Sequence, residues 1–108
     1  MREIVVDTET TGLKPQEGHR LVDIAAIELV HHLPTGRTFQ SYIDPERDVP
    51  DDVVKVHGLT GEFLRGKPKF AEIASGFLDF IGDAPLVIHN APFDLSFINF
   101  ELERAGHS

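Results

Sequence analysis

Two short acidic strings hold the residue types in this chain that could do chemistry: Asp7-Thr8-Glu9-Thr10-Thr11-Gly12-Leu13 and His89-Asn90-Ala91-Pro92-Phe93-Asp94. Each follows an apolar run that reads as a buried strand, Ile4-Val5-Val6 in one case and Leu86-Val87-Ile88 in the other. Asp7 and Glu9 are two apart, so on a strand both side chains leave the same face. If the second strand delivers Asp94 to the same sheet edge, three carboxylates crowd together. Crowded carboxylates repel, and a divalent cation held by oxygen ligands relieves the repulsion. Cation pairs held by acids are a recurrent device for cutting phosphodiesters. The chemistry to expect is metal-dependent nuclease chemistry, with Asp7, Glu9 and Asp94 holding the metal.

The elements that must position these acids can be read from apolar spacing. Residues from about 2 to 8 read as a central strand, since the continuous aliphatic run Ile4-Val5-Val6 within them suits burial on both faces. Residues 11–18 read as loop. Leu21 to Val30 fits strand or helix by period alone. The Leu33-Pro34-Thr35-Gly36 turn signal and the alternating Phe39, Ser41 and Ile43 favour a hairpin. Asp44 to Asp52 is acidic and proline-bearing, hence loop. Val56-His57-Gly58-Leu59-Thr60 reads as a helix stop, with Gly58 at the cap and Thr60 opening the next turn. From Lys69 to Ile81, the residues Phe70, Ile73, Ala74, Phe77 and Ile81 recur at helical spacing. Leu86 to His89 is a second short buried strand, after which Pro92 suits a first helical turn. The helix from about Pro92 to Arg104 carries one stripe of Phe93, Phe97 and Phe100 and another of Leu95, Ile98 and Leu102. A helix apolar on both sides needs cover on both sides. That need and an unpaired strand edge predict either a fragment or self-association of the chain.

Composition narrows the classes. The 108 residues fit one domain at most, and 41% apolar with 26% charged residues is ordinary for a soluble globular protein. No apolar stretch approaches the roughly 20 residues that cross a bilayer, so no membrane partner is expected. The start lacks a signal peptide's pattern. Without cysteine there is no disulfide framework and no thiolate metal site, which fits a cytoplasmic protein and favours magnesium or manganese over structural zinc. A net charge of −8 is unusual for a chain that grips nucleic acid by itself. Bound cations would cancel part of that charge, and a partner could supply the grip.

In order and spacing, VVDTETTGL, HRLVDIAAIELV, VHGLT, EFL, KPKFAEIASGFLDFI and LVIHNAPFD resemble the DEDDh-type 3′–5′ exonucleases over nearly the whole chain. The likeness is strongest to the proofreading branch that accompanies replicative DNA polymerases. It implies an α/β, ribonuclease-H-like mixed sheet: an antiparallel three-strand meander, then a parallel strand, with flanking helices. It also implies two divalent cations, Mg2+ or Mn2+, held by Asp7, Glu9 and Asp94 as the catalytic carboxylates. Thr10, Thr11 and Leu13 would line the pocket for the 3′-terminal nucleotide. His57 would sit beside the frayed end, with Asn90 and Phe93 near the penultimate region. The implied partners are a single-stranded or frayed DNA 3′ end and the polymerase catalytic subunit. The family's third motif, a histidine and a fourth aspartate at H-x-x-x-x-D spacing, has no counterpart after Asp94. Residues 1–108 are therefore expected to be the N-terminal portion of an exonuclease domain, truncated before that motif and weak or inactive alone. An exoribonuclease of the same superfamily, or a non-catalytic interaction module, are the alternatives.

Overall fold

The computed structural model describes residues 1–107. Four strands, β1 (Arg2–Thr10), β2 (Leu21–Val30), β3 (Leu33–Tyr42) and β4 (Leu86–Val87), pair in the order β3-β2-β1-β4. The first three form an antiparallel meander, and β4 joins β1 in parallel. A parallel return needs a crossover. Helices α1 (Asp51–His57), α2 (Gly61–Leu64) and α3 (Phe70–Ile81) lie along it, and α4 (Ala91–Arg104) follows β4. This is the expected mixed sheet, meander first and parallel strand last.

Alternation on the strands decides which face is dry. Ile4, Val6 and Thr8 of β1 lie opposite Glu28, Ala26 and Ile24 of β2, and all six are buried. Phe70, Ala74 and Phe77 of α3 and Phe97 and Ile98 of α4 pack onto that side. The other face carries Asp7 and Glu9 opposite Ala25 and Asp23, and it is more open: Asp7 and Ile27 are exposed. Period two along β1 thus sends threonines into the core and acids outward.

Four details differ from the sequence expectation. The hairpin reverses at His31-His32, with φ of 52° and 66°, not at Leu33–Gly36. Positive φ at both central residues matches the twist of the flanking strands. Pro34 lies instead in the edge strand β3, where a missing N–H is tolerated. Asp51 and Asp52 begin α1 and are not loop, because carboxylates in a first turn favour the helix start. The second strand is not buried: it pairs over Leu86 and Val87 only, as an edge, and Val87 is 44% exposed. Finally, α4 buries one face made of Asp94, Phe97, Ile98 and Glu101, so the two apolar stripes flank a seam that contains two acids. By contrast, the helix stop stands as read: Gly58 caps α1 at φ 75°, and Thr60 Oγ1 accepts the N–H of Phe63 at the start of α2.

Candidate active site

The ladder between β1 and β4 covers only Ile4 and Val5, so that edge of β1 is open alongside Asp7 and Glu9. Asp7 is exposed and Glu9 half-buried on the outer face, while Thr8 and Thr10 point inward. On the inner side, α4 begins with Pro92 in its first turn and turns Asp94, 7% exposed, toward the strand. Thr8 joins the two sides. Its backbone N–H donates to Asp7 Oδ1 at 3.0 Å, and its hydroxyl donates to Asp94 Oδ2 at 3.0 Å. Thr8 was not singled out from the sequence, although its place between the two acids of a D-x-E string is the signal for it.

The carboxylates feel one another. Burial pushes Asp94 above its ordinary pKa, the Thr8 hydroxyl pulls it back, and Asp7 pushes it up again. Burial also raises Glu9, and the neighbouring His57 opposes that. Asp7, Asp23 and Asp94 then add to the rise. Asp23, which no local motif marks in the sequence, is a further acid here; it lies directly opposite Glu9 in the ladder. Burial raises it most, Gln40 Nε2 donates to its Oδ1 at 2.6 Å in opposition, and Asp7 raises it further. Among the described residues, no three His, Asp or Glu side chains are gathered closely enough to enclose a metal ion. A closed cage is not required for the expected ion. Magnesium takes one or two carboxylates and keeps its remaining positions for water and substrate phosphate. An all-oxygen donor set under mutual repulsion therefore fits a hard divalent cation.

Beside the acids lies a cleft of about 690 Å3 that Thr8, Glu9, Thr10 and Thr11 line along β1 and just beyond its end. The residues expected at the substrate, Thr10, Thr11, Leu13, His57 and Phe93, all line it. Asn90 does not; it lines an adjoining groove of about 720 Å3, which Leu13 and Phe93 share. Leu13, from the β1–β2 loop, and Val56, from α1, are 79% and 81% exposed in the cleft wall, ready to pack against something flat and apolar. His57 has no such freedom. Its Nδ1 accepts the N–H of Leu59 at 3.0 Å, so the proton sits on Nε2, which donates to Thr10 O at 3.1 Å. Both ring nitrogens are engaged, and the ring ties the end of α1 to the end of β1.

The loop after β1 is held just as closely. Thr10 Oγ1 donates to Gly12 O at 2.6 Å, and Thr11 Oγ1 shares a hydrogen with His19 Nδ1 at 2.9 Å. The His19 ring lies flush on Gly12: a Cβ there would come within 2.3 Å of it. His19 was not expected at the site, since no local spacing marks it.

Residues 4–108 match the Exonuclease (RNase_T) family. The chain belongs to that family. It is 59% identical over 102 residues to the DNA polymerase III subunit epsilon of Rickettsia felis, covering 94% of this chain and 44% of that protein. It is 47% identical over 107 residues to the subunit of the same name from Pasteurella multocida, covering 95% of this chain and 42% of the other. It thus spans less than half the length of these relatives. Among solved structures, an E. coli exonuclease I–single-stranded DNA complex in metal-free form superposes with a TM-score of 0.84 at 21% identity. That match covers 99% of this chain and 24% of exonuclease I. Exonuclease X in complex with 5′-overhanging duplex DNA gives 0.75 at 23% identity, covering 89% of this chain and 53% of the other. At such identities the likeness establishes the fold, which is the ribonuclease-H-like one shared by these exonucleases.

Proposed function

We propose that this exonuclease-family chain is the N-terminal portion of a metal-dependent 3′–5′ exonuclease that trims DNA 3′ ends beside a replicative polymerase. One observation supports the reading: Thr8 bonds Asp7 through its N–H and Asp94 through its hydroxyl, with Glu9 next along β1, beside a cleft walled by exposed Leu13 and Val56. The naming of its relatives as polymerase III epsilon subunits supports DNA as substrate and the polymerase as partner.

Asp7, Glu9 and Asp94 would hold Mg2+ or Mn2+. When bound, such ions supply Lewis acidity and a more acidic water for phosphodiester hydrolysis. The chain's own residues do the positioning. Leu13 and Val56 offer apolar surface to a terminal base without reading its edge, which suits removal of any nucleotide. Selectivity would then come from the lower cost of unpairing a mismatched end. With both ring nitrogens engaged, His57 shapes the cleft and leaves water activation to another group. In this reading that general base and the fourth acid come from outside residues 1–108, in agreement with relatives more than twice as long.

The test uses the full reading frame. Asp7→Ala with Glu9→Ala should abolish nucleotide release while circular dichroism and thermal midpoint stay close to those of the parent. Undiminished release by the double variant would remove the assignment. Matched DNA and RNA oligonucleotides decide the substrate, and faster loss of RNA would place the protein among the exoribonucleases. If Mn2+ leaves the amide resonances of Asp7 and Glu9 unmoved, a non-catalytic module becomes the better account.

A further inference from the structure

A second carboxylate on the buried face of α4 has no part in the chemistry above. Glu101 is 3% exposed and lies seven residues beyond Asp94, two turns along the same seam and about 10 Å away. Its oxygens accept both arms of the Arg20 guanidinium, Nε at 2.8 Å and Nη2 at 2.7 Å, and the backbone N–H of Leu21 at 3.2 Å. Arg20 in turn is fastened to the loop after β1. Its N–H donates to Thr11 Oγ1 at 3.0 Å, and its carbonyl accepts the N–H of Thr11 at 2.9 Å. The same Thr11 hydroxyl holds the His19 ring that covers Gly12. One chain of bonds thus runs from α4, which carries Asp94, to the Thr10–Leu13 wall of the cleft.

A buried ion pair is a poor stabiliser. Desolvation offsets most of the attraction, and apolar residues of similar volume often hold a fold as well or better. What the fork supplies is direction: two parallel N–H···O bonds admit a narrow range of angles between a guanidinium and a carboxylate. The core contacts of Phe97 and Ile98 are non-directional and leave α4 some freedom to slide and turn. Directional bonds at Asp94 and at Glu101 remove that freedom at both ends of the seam.

We propose that Arg20 and Glu101 are positioning residues, which fix the roll of α4 so that Asp94 and the loop wall meet the same substrate. The proposal rests on the exonuclease reading for its consequence on rate, but its geometry can be tested separately. In the full reading frame, Arg20→Lys keeps the charge and loses the fork, Glu101→Gln keeps the shape and loses the charge, and Arg20→Met with Glu101→Leu replaces the pair by apolar packing. The last guards against simple unfolding. All three should lower kcat/KM at least tenfold and raise the Mn2+ concentration for half-maximal rate, while the apolar pair keeps a thermal midpoint within a few degrees of the parent. In that folded variant the amide resonances of Asp94 and Gly12 should shift together. Full activity with unmoved resonances in the apolar variant would overturn the proposal. If the parent releases no nucleotide under any metal, the exonuclease reading fails, and the Asp94 and Gly12 resonances alone decide whether the fork positions anything.

Discussion

At the scale of single residues, the site is organised around side chains that cost stability. Asp94 is raised first by burial, so its ionised form is less at ease in the folded chain than in the unfolded one. Such a group leaves the fold unpenalised at low pH. Its penalty grows as pH rises from the ordinary value of 3.8 through the raised folded value, and is complete above it. Asp94→Asn keeps an oxygen for the Thr8 hydroxyl and removes the charge. In the absence of divalent ions, this variant should be more resistant to urea than the parent at pH 7 and equal to it near pH 3. A lower midpoint at pH 7 would refute the assignment of strain to the charge. Gly12 makes a steric counterpart. Gly12→Ala should cost about 1–3 kcal/mol, the usual range for overpacking, because the new methyl meets the His19 ring. Adding His19→Ala should recover part of that loss in thermal unfolding. No recovery would mean that the ring is not what excludes the side chain.

At the scale of elements, the hairpin between β2 and β3 offers the sharpest test. Two histidines occupy left-handed backbone, where an L side chain costs about 1–2 kcal/mol per residue. The contact of His32 with Glu3 lies at a side chain that is 85% exposed, so it returns little. Replacing His31-His32 by Asn-Gly should therefore raise stability by about 1–2 kcal/mol with no change in register, read by denaturant unfolding and by hydrogen exchange along β2. The same turn shows what the sequence made legible. A continuous aliphatic run made β1 readable, and helical spacing made α3 readable, because both patterns report burial directly, whereas β2 fits strand or helix by period and only the turn signal and alternation after it favour the strand. The turn was misplaced because Leu33–Gly36 has stronger local turn chemistry than His-His, yet the pairing of Glu28 with Thr35 and Arg37 keeps those residues on the strand. The first-string acids and the Thr10–Leu13 wall were legible for the same local reason: they sit in one short string. Thr8 aside, the residues missed at the site, Asp23, His19, Arg20 and Glu101, act through partners on other elements. Arg20 and Glu101 are separated by 81 residues, and no periodicity reports that distance.

At the scale of the whole molecule, the decisive quantity is the formal charge of −8, which the proposed polyanionic substrate has to meet. A protein that holds nucleic acid through its own Lys and Arg shows a steep salt dependence, with a slope of roughly −0.7 per phosphate neutralised on a single strand. Here there are 10 Lys and Arg residues in all, and among the described residues Arg2, Arg20, Arg37 and Lys69 already pair with Glu28, Glu101 or Glu46. In the proposed function the pull on phosphate would come from cations held by Asp7, Glu9 and Asp94, with Leu13 and Val56 offering apolar contact to the bases, and not from a basic track. Binding of a short single-stranded oligonucleotide should be undetectable in chelator and should appear when Mn2+ is added. Its log–log slope against monovalent salt should be no steeper than about −2. Fluorescence anisotropy with an end-labelled oligonucleotide measures both, best in Asp94→Asn to suppress turnover. That substitution should weaken the Mn2+-dependent part and leave the salt slope alone. A slope of about −5 in chelator would instead reveal a basic strand-binding surface, and the acids at the open edge of β1 would then be bystanders to recognition.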